Sequence, residues 1–237
     1  MSIKCSICMA TYNGERHIYK QVKSILDQIS PQDEVIVSDD YSIDGTIDIL
    51  KSFNDARIKI FTNEHKKGPV GNFENALSKA SGDIIFLADQ DDEWFSNKIE
   101  THLSLHQKYY DLVISDAIVT DEDGNVIFDS FFEGRGSKSG ILNTLIKNSY
   151  IGCCMSFNKK ILDYALPFPT YIHMHDWWIG LIAEVKGKVF FCDKKLMNYV
   201  RHNNNASPTL EKSGYSVFKR IKNRIQLVYG MLFILPK

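Results

Sequence analysis

Asp89-Gln90-Asp91-Asp92 puts three carboxylates within four residues. Like charges that close push one another's pKa upward. A hard divalent cation relieves the repulsion, and Mg²⁺ or Mn²⁺ takes one or two carboxylates together with phosphate oxygens. An Asp-rich helix start favoured by the helix dipole would look the same. Asp39-Asp40 reads either as a carboxylate for a base or ribose, as in dinucleotide folds, or as a cap for a helix beyond Gly45. Thr11-Tyr12-Asn13-Gly14-Glu15 has turn and capping composition, with a tyrosine that could stack on a nucleobase. In His173-Met174-His175-Asp176-Trp177-Trp178, one carboxylate sits between histidine and two tryptophans at the start of a helical pattern. That is the setting of a general base in a semi-enclosed pocket, or of an N-cap beside core tryptophans. His102 and His106 share a helix face but lack the acidic partner of a metalloprotease motif, and are expected on the surface.

The elements that would hold these groups alternate. Ile3 to Met9 is a breaker-free apolar run, read as a buried strand. Ile18, Val22, Ile25, Leu26 and Ile29 have the spacing of one helix face. Further strands are expected at 34–37, 57–61 and 83–88, and helices around Ile47 to Phe53, with Asp44 as N-cap, and from Gly71 to Ala80. Strict alternation predicts crossovers and a mainly parallel sheet covered by helices on both faces. In such sheets ligands bind at the carboxyl ends of the strands. The clusters at 11–15, 39–40 and 89–92 fall at those ends, so one site is expected rather than three. Beyond it, strands are expected at 112–119, 189–192 and 196–200, and Asp123-Gly124 marks a hairpin turn into 126–128. The turn-rich 133–140 reads as a mobile loop, and 177–185 as a helix.

Net charge is −1, from 28 basic and 29 acidic residues, which argues against a protein built to coat nucleic acid. Hydrophobic residues at 44% and charged ones at 24% exclude bulk disorder. No apolar run reaches the roughly 18 residues of a membrane span. The start lacks a signal peptide's basic and apolar regions, so a cytoplasmic location is expected. Five cysteines in apolar surroundings read as reduced core thiols; Cys5-x-x-Cys8 has no second ligand pair for zinc.

Taken together and in order, SICMATYNGE (6–15), VSDDYSIDGT (37–46), GNFENALSKASGDIIFLADQDDEW (71–94), IGCCMSFNKKIL (151–162), HDWW (175–178) and YVRHNNNAS (199–207) resemble the family 2 glycosyltransferases. The likeness is to the O-antigen and capsule branch of rhamnosyl-, glucosyl- and galactosyltransferases, and it covers roughly the first 207 residues. It implies a GT-A fold over 1–207 and a tail over 208–237. It implies that Thr11, Tyr12, Asn13 and Glu15 line a nucleotide pocket, with Asp39 on the base and Asp40 and Gln90 nearby. Asp89 and Asp91 match the D-x-D, Asp91 on a Mn²⁺ or Mg²⁺ ion with His202, and Asp89 close to both metal and ribose. Asp176 matches the catalytic base; Gly152, His175, Trp177 and Trp178 fall on the acceptor side. Two positions depart from the pattern. Tyr41 stands where the branch has Gly, and Val200 stands where it has Arg, leaving Arg201 one place later to meet the diphosphate.

The implied reaction is an inverting displacement from a UDP- or dTDP-linked sugar onto a hydroxyl of a glycan acceptor carried on polyprenyl diphosphate. A metal offsets charge on the leaving diphosphate, and a carboxylate takes the acceptor's proton. Two other readings compete. One is a sugar-nucleotide-binding partner without turnover, which the joint presence of D-x-D and Asp176 disfavours. The other is a phosphohydrolase with Asp89 as nucleophile, which Glu93 disfavours because such enzymes want Thr or Val there. After Glu211 every charged residue is basic, and Val217, Phe218, Ile221, Ile225, Leu227 and Val228 interleave with Lys219, Arg220, Lys222 and Arg224. That is the composition of an amphipathic helix on the inner face of an anionic membrane, or of one packed on the domain or a second subunit. The sequence specifies no oligomeric state.

Overall fold

A computed structural model describes residues 3–202 and 216–234. The expected boundary near residue 207 lies outside the described residues.

Four apolar runs form a parallel set, β1 (Cys5–Thr11), β2 (Glu34–Asp39), β3 (Ile58–Thr62) and β4 (Ile84–Asp89), in the order β3-β2-β1-β4. The helices α1 (Ile18–Leu26), α2 (Thr46–Ser52) and α3 (Pro69–Ser78) are their crossovers. Ile18, Val22 and Ile25 of α1 are fully buried, as their spacing requires. The register levels the strand ends that carry the chemistry: Thr11 lies beside Asp39, and Ala10 beside Asp89. Helix α2 starts one residue later than Asp44 would cap it, with Gly45 at the N-cap position. Asp44 still serves the helix, its carboxylate accepting from the Thr46 N–H and hydroxyl.

The second half comprises β5 (Glu93–Trp94), α4 (Lys98–His106), β6 (Leu112–Asp121), β7 (Val126–Phe128), α5 (Phe131–Arg135), α6 (Ile141–Ile146), a 3-10 turn (Gly152–Cys154), β8 (Met155–Asn158), α7 (Lys159–Ala165), α8 (His175–Lys186), β9 (Val189–Arg201) and α9 (Val217–Ile234). Here the sheet is mixed. β8 runs antiparallel between β4 and β6, β9 is parallel to β6, and β5 and β7 pair antiparallel at the margins. The parallel pairing expected of the alternating first half is found there, and the less regular second half mixes directions. An apolar run encodes burial and not strand direction.

Three local expectations are corrected. Strands 189–192 and 196–200 are one strand, because a register shift opposite Ser115 and Asp116 absorbs the polar Asp193-Lys194. Segment 133–140 is not wholly loop. α5 begins at Ser130, whose hydroxyl accepts from the Glu133 N–H, and ends at Gly136 in the left-handed region (φ 67°). His102 and His106 are buried, because their shared face of α4 is the one turned to the sheet; each ring places a nitrogen 2.7 Å from the Ser156 hydroxyl. The five cysteines are free thiols and all buried.

Candidate active site

The loop after β1 is braced on two neighbours. The Thr11 hydroxyl donates to Asp39 Oδ1 at 2.9 Å, and the Ser42 N–H and hydroxyl reach the same carboxylate at 2.8 and 2.5 Å. Asn13, at φ 49°, donates its N–H to Ser42 Oγ and accepts from the Ile43 N–H with its side chain. Glu15 accepts from the Gly45 N–H at 2.8 Å. On the other side Gln90 clasps the Tyr12 backbone, accepting its N–H at 2.9 Å and donating to its carbonyl at 3.0 Å. Gly14 leaves room for this clasp: a Cβ there would lie 2.3 Å from Gln90 Oε1 and displace the amide. The Tyr12 ring itself is exposed.

Asp40 turns toward a different loop, its oxygens accepting from the Asn63 amide at 2.8 Å and the Gly68 N–H at 2.7 Å. It fixes the entry to α3. Tyr41 adopts φ 65°, which explains why glycine suits this position: a non-glycine residue in the left-handed region carries strain.

The acidic run lies across the cleft. Asp91 accepts from, or shares a proton with, His202 Nε2 at 2.7 Å, and that contact raises the histidine's pKa. His202 stacks on His17, with ring centroids 5.1 Å apart and planes within 5°. Arg201, half-buried at the end of β9, lies close enough to act against the His202 charge. Burial pushes the Asp89 carboxyl up to about 7, with like charge from Asp91 and then Asp176 adding to it. Asp92 is also raised by burial. One of its oxygens accepts from the Val200 N–H at 3.2 Å, and the other has no hydrogen-bond partner among the described residues. Ligand atoms of Asp89, Asp92 and Cys153 lie within 4.8 Å of one another.

Asp176 sits in the first turn of α8 and is buried. Desolvation raises its carboxyl to about 6. The Trp177 N–H, the Asn148 amide (3.2 Å), Arg135 and the Gly152 amide oppose that rise. Asp176 and Asp89 feel one another's charge, so the two clusters share one cleft. Gly152 is tight: a Cβ would stand 3.0 Å from His175 Nε2 and 3.7 Å from Asp176 Cβ. His175 stacks on Phe73 at 4.1 Å, neither ring nitrogen has a partner, and burial lowers its pKa to about 3. The tryptophans anchor α8. Trp177 donates its indole N–H to the Thr144 carbonyl at 2.6 Å, and Trp178, in the core, donates to Ala165 at 3.0 Å.

Four participants escape a motif-based reading. Lys98 is fully buried, its ammonium donating to the Cys153 carbonyl at 2.6 Å and to Met197 Sδ at 3.0 Å while lying 4.4 Å from the Trp94 ring centre. It is the cation behind the acidic run, and one carbonyl ties it to the turn that carries Gly152. A lysine at the first position of an amphipathic helix gives no signal of this in sequence. Asn148 and Arg135 reach Asp176 from segments with no motif, although Ser130-x-x-Glu133 followed by Gly136 did mark the helix that carries Arg135. His17 is visible only through its stacking partner.

Carboxyl-end loops of a parallel β-α set, an acidic run facing a histidine, and a buried carboxylate thus stand together on an α/β sheet of GT-A fold. The sequence signature of glycosyl transferase family 2 matches residues 6–165, and the chain belongs to that family: it is a glycosyltransferase. Relatives include WfgD of Escherichia coli, a UDP-Glc:alpha-D-GlcNAc-diphosphoundecaprenol beta-1,3-glucosyltransferase, 28% identical over 96% of this chain and 90% of that one. A GalNAc(5)-diNAcBac-PP-undecaprenol beta-1,3-glucosyltransferase of Campylobacter jejuni is 35% identical over 91% of this chain and 71% of its own length. Among solved structures, residues 1–349 of S. aureus TarS in complex with UDP-GlcNAc share the fold, with TM-score 0.75 and 19% identity over 97% of this chain and 67% of that one.

Proposed function

We propose that the chain is an inverting, metal-dependent hexosyltransferase. It moves a sugar from a UDP- or dTDP-linked donor to a hydroxyl of a glycan acceptor carried on polyprenyl diphosphate, in O-antigen or capsule assembly at the inner face of the cytoplasmic membrane. The observation that carries the reading is Asp176: a buried carboxylate held by four groups, raised to about 6, in the same cleft as the acidic run. A base with that pKa is ionised at neutral pH yet still accepts a proton readily. The activities of the Escherichia coli and Campylobacter jejuni relatives support a diphosphoundecaprenol-type acceptor.

Asp176 takes the proton of the acceptor hydroxyl as that oxygen bonds to the anomeric carbon and the bond to the diphosphate oxygen breaks. No covalent enzyme nucleophile is required, and a single displacement inverts the sugar. Asp91, Asp89 and His202 would hold Mn²⁺ or Mg²⁺, which supplies charge compensation for the departing diphosphate. The crowded carboxylates of Asp89 and Asp92, with one Asp92 oxygen unpartnered among the described residues, suit a hard cation, although the third ligand atom in that cluster is the Cys153 thiol and not Asp91 or His202. Arg201 would meet diphosphate charge, and Thr11, Tyr12 and Asn13 would form the rim on which the nucleoside rests. Gly152, His175 and the exposed part of Trp177 would border the acceptor.

A melting-temperature panel of nucleoside diphosphates and sugar nucleotides, with and without Mn²⁺, tests this directly. A ligand that binds only the folded chain raises the melting temperature by mass action. The proposal expects a metal-dependent rise with UDP or dTDP species; no rise with any nucleotide under any metal would end it.

A further inference from the structure

We propose that the outward face of α9 and the exposed side of α6 form one docking surface for an anionic lipid bilayer. The proposal rests on the reading of the chain as an enzyme of lipid-linked acceptors, and adds which surface meets the lipid and how it connects to the base.

Helix α9 is apolar on two opposite sides. Its inner side carries the buried Leu227 and Gly230. The glycine lies so close to Trp178 that a Cβ would stand 2.6 Å from the indole, and the neighbouring Tyr229 meets Tyr171 edge-on at 5.9 Å. Its outer side carries Phe218, Ile221, Ile225 and Val228, spaced three, four and three residues apart, and all exposed. A helix packed on a domain and otherwise facing water would carry polar residues along that stripe. Helix α6 adds Leu142 and Ile146, one turn apart and 76% and 66% exposed. The two helices are tied together: the Arg224 guanidinium donates to the carbonyls of Leu145 and Ile146. Exposed apolar side chains thus stand on two helices held together by one arginine, and exposed apolar surface of this kind marks an interaction site.

Charge decides the occupant. Lys222 is exposed on α9 at the edge of the stripe, Lys219 is exposed next to Phe218 on the flank nearer the domain, and no Asp or Glu occurs from 216 to 234. A second copy seated symmetrically on this face would set cations against cations. Anionic headgroups complement them, and a basic helix with an apolar face lies in the headgroup region.

The face also reaches the chemistry. Thr144 of α6 accepts from the Trp177 indole, and Gly230 of α9 packs on Trp178. Both tryptophans adjoin Asp176 in the first turns of α8. One tryptophan contact from each helix thus connects the docking surface to the helix turn that carries the base. A membrane-tethered acceptor would be presented at that end of the cleft.

The test is co-sedimentation of the full chain with phosphatidylcholine vesicles, with and without phosphatidylglycerol. Leu142→Gln/Ile146→Gln and Phe218→Gln/Ile225→Gln alter exposed side chains, so their melting temperatures should match the parent's. Each pair is expected to weaken binding to the anionic vesicles about tenfold. If the α6 pair binds as the parent does, α9 alone docks and the two-helix surface is overturned. If the parent ignores anionic vesicles and light scattering shows a dimer that either pair dissociates, the face joins two copies and the proposal fails. Vesicle binding that depends on both pairs, in a chain whose melting temperature no nucleotide raises, would uphold the surface while overturning the enzyme reading beneath it.

Discussion

On the side of the cleft built by β1 and β2, Asp39 accepts from Thr11 and from two groups of Ser42, and Asp40 from Asn63 and Gly68. Across the cleft, Asp89, Asp92 and Asp176 are enclosed with fewer donors than they have lone pairs, and burial raises all three. Carboxylates of the same type are thus used in two ways. The first side is a frame whose carboxylates brace the surrounding loops through N–H and O–H groups, so it should hold its shape with or without a ligand. The second stores electrostatic cost that a cation and a substrate proton can relieve. Binding should follow the first side and chemistry the second, and substitutions should separate them.

The largest effect should come from Lys98→Met. It removes the buried ammonium behind Asp89 and Asp92 while keeping the volume, and breaking a buried charge arrangement costs about 3–5 kcal/mol. Chemical denaturation should show that loss, and transfer should fall at least a hundredfold in whatever folds. An unchanged midpoint would mean the acidic run needs no cation behind it. Gly152→Ala comes next. His175 must shift by a few tenths of an ångström, which moves the wall beside Asp176; kcat should drop about tenfold while the nucleotide-induced melting shift persists. A drop in nucleotide binding instead would blur the division of labour.

The pH dependence is a finer probe. The Asp176 pKa is raised, so the group is protonated and inactive as a base below about 6. The kcat profile should therefore rise with pH through that value and level off above it. Asn148→Ala removes a group that favours the ionised form, so the rising limb should move to higher pH by under about one unit. A move to lower pH would assign the limb to another group. The smallest effect belongs to Gln90→Ala, which unclasps the Tyr12 backbone. It should raise donor KM a few-fold, in line with about 1 kcal/mol per neutral hydrogen bond, and leave kcat alone.

The frame side was largely legible in sequence. Its strands are continuous apolar runs, its helices amphipathic, and its polar clusters fall at strand ends by the geometry of parallel β-α units. The other side was legible only where a motif stood, at Asp89, Asp91 and Asp176. Strand direction in the mixed half has no sequence signature, so the antiparallel β8 was invisible. His102 and His106 looked polar and therefore external, yet Ser156 gives both rings a buried partner. Lys98 was hidden for a similar reason: no pattern within one helix reveals an ammonium satisfied by a carbonyl and a thioether from two other elements.

Asp176→Asn, assayed in parallel for UDP-induced melting shift with Mn²⁺ and for sugar transfer, tests the central claim most directly. Asparagine keeps the shape and the contacts but cannot take a proton. The melting shift should equal the parent's while transfer falls by about 10²–10⁴-fold. Unaltered transfer would remove Asp176 from the role of base and contradict the account.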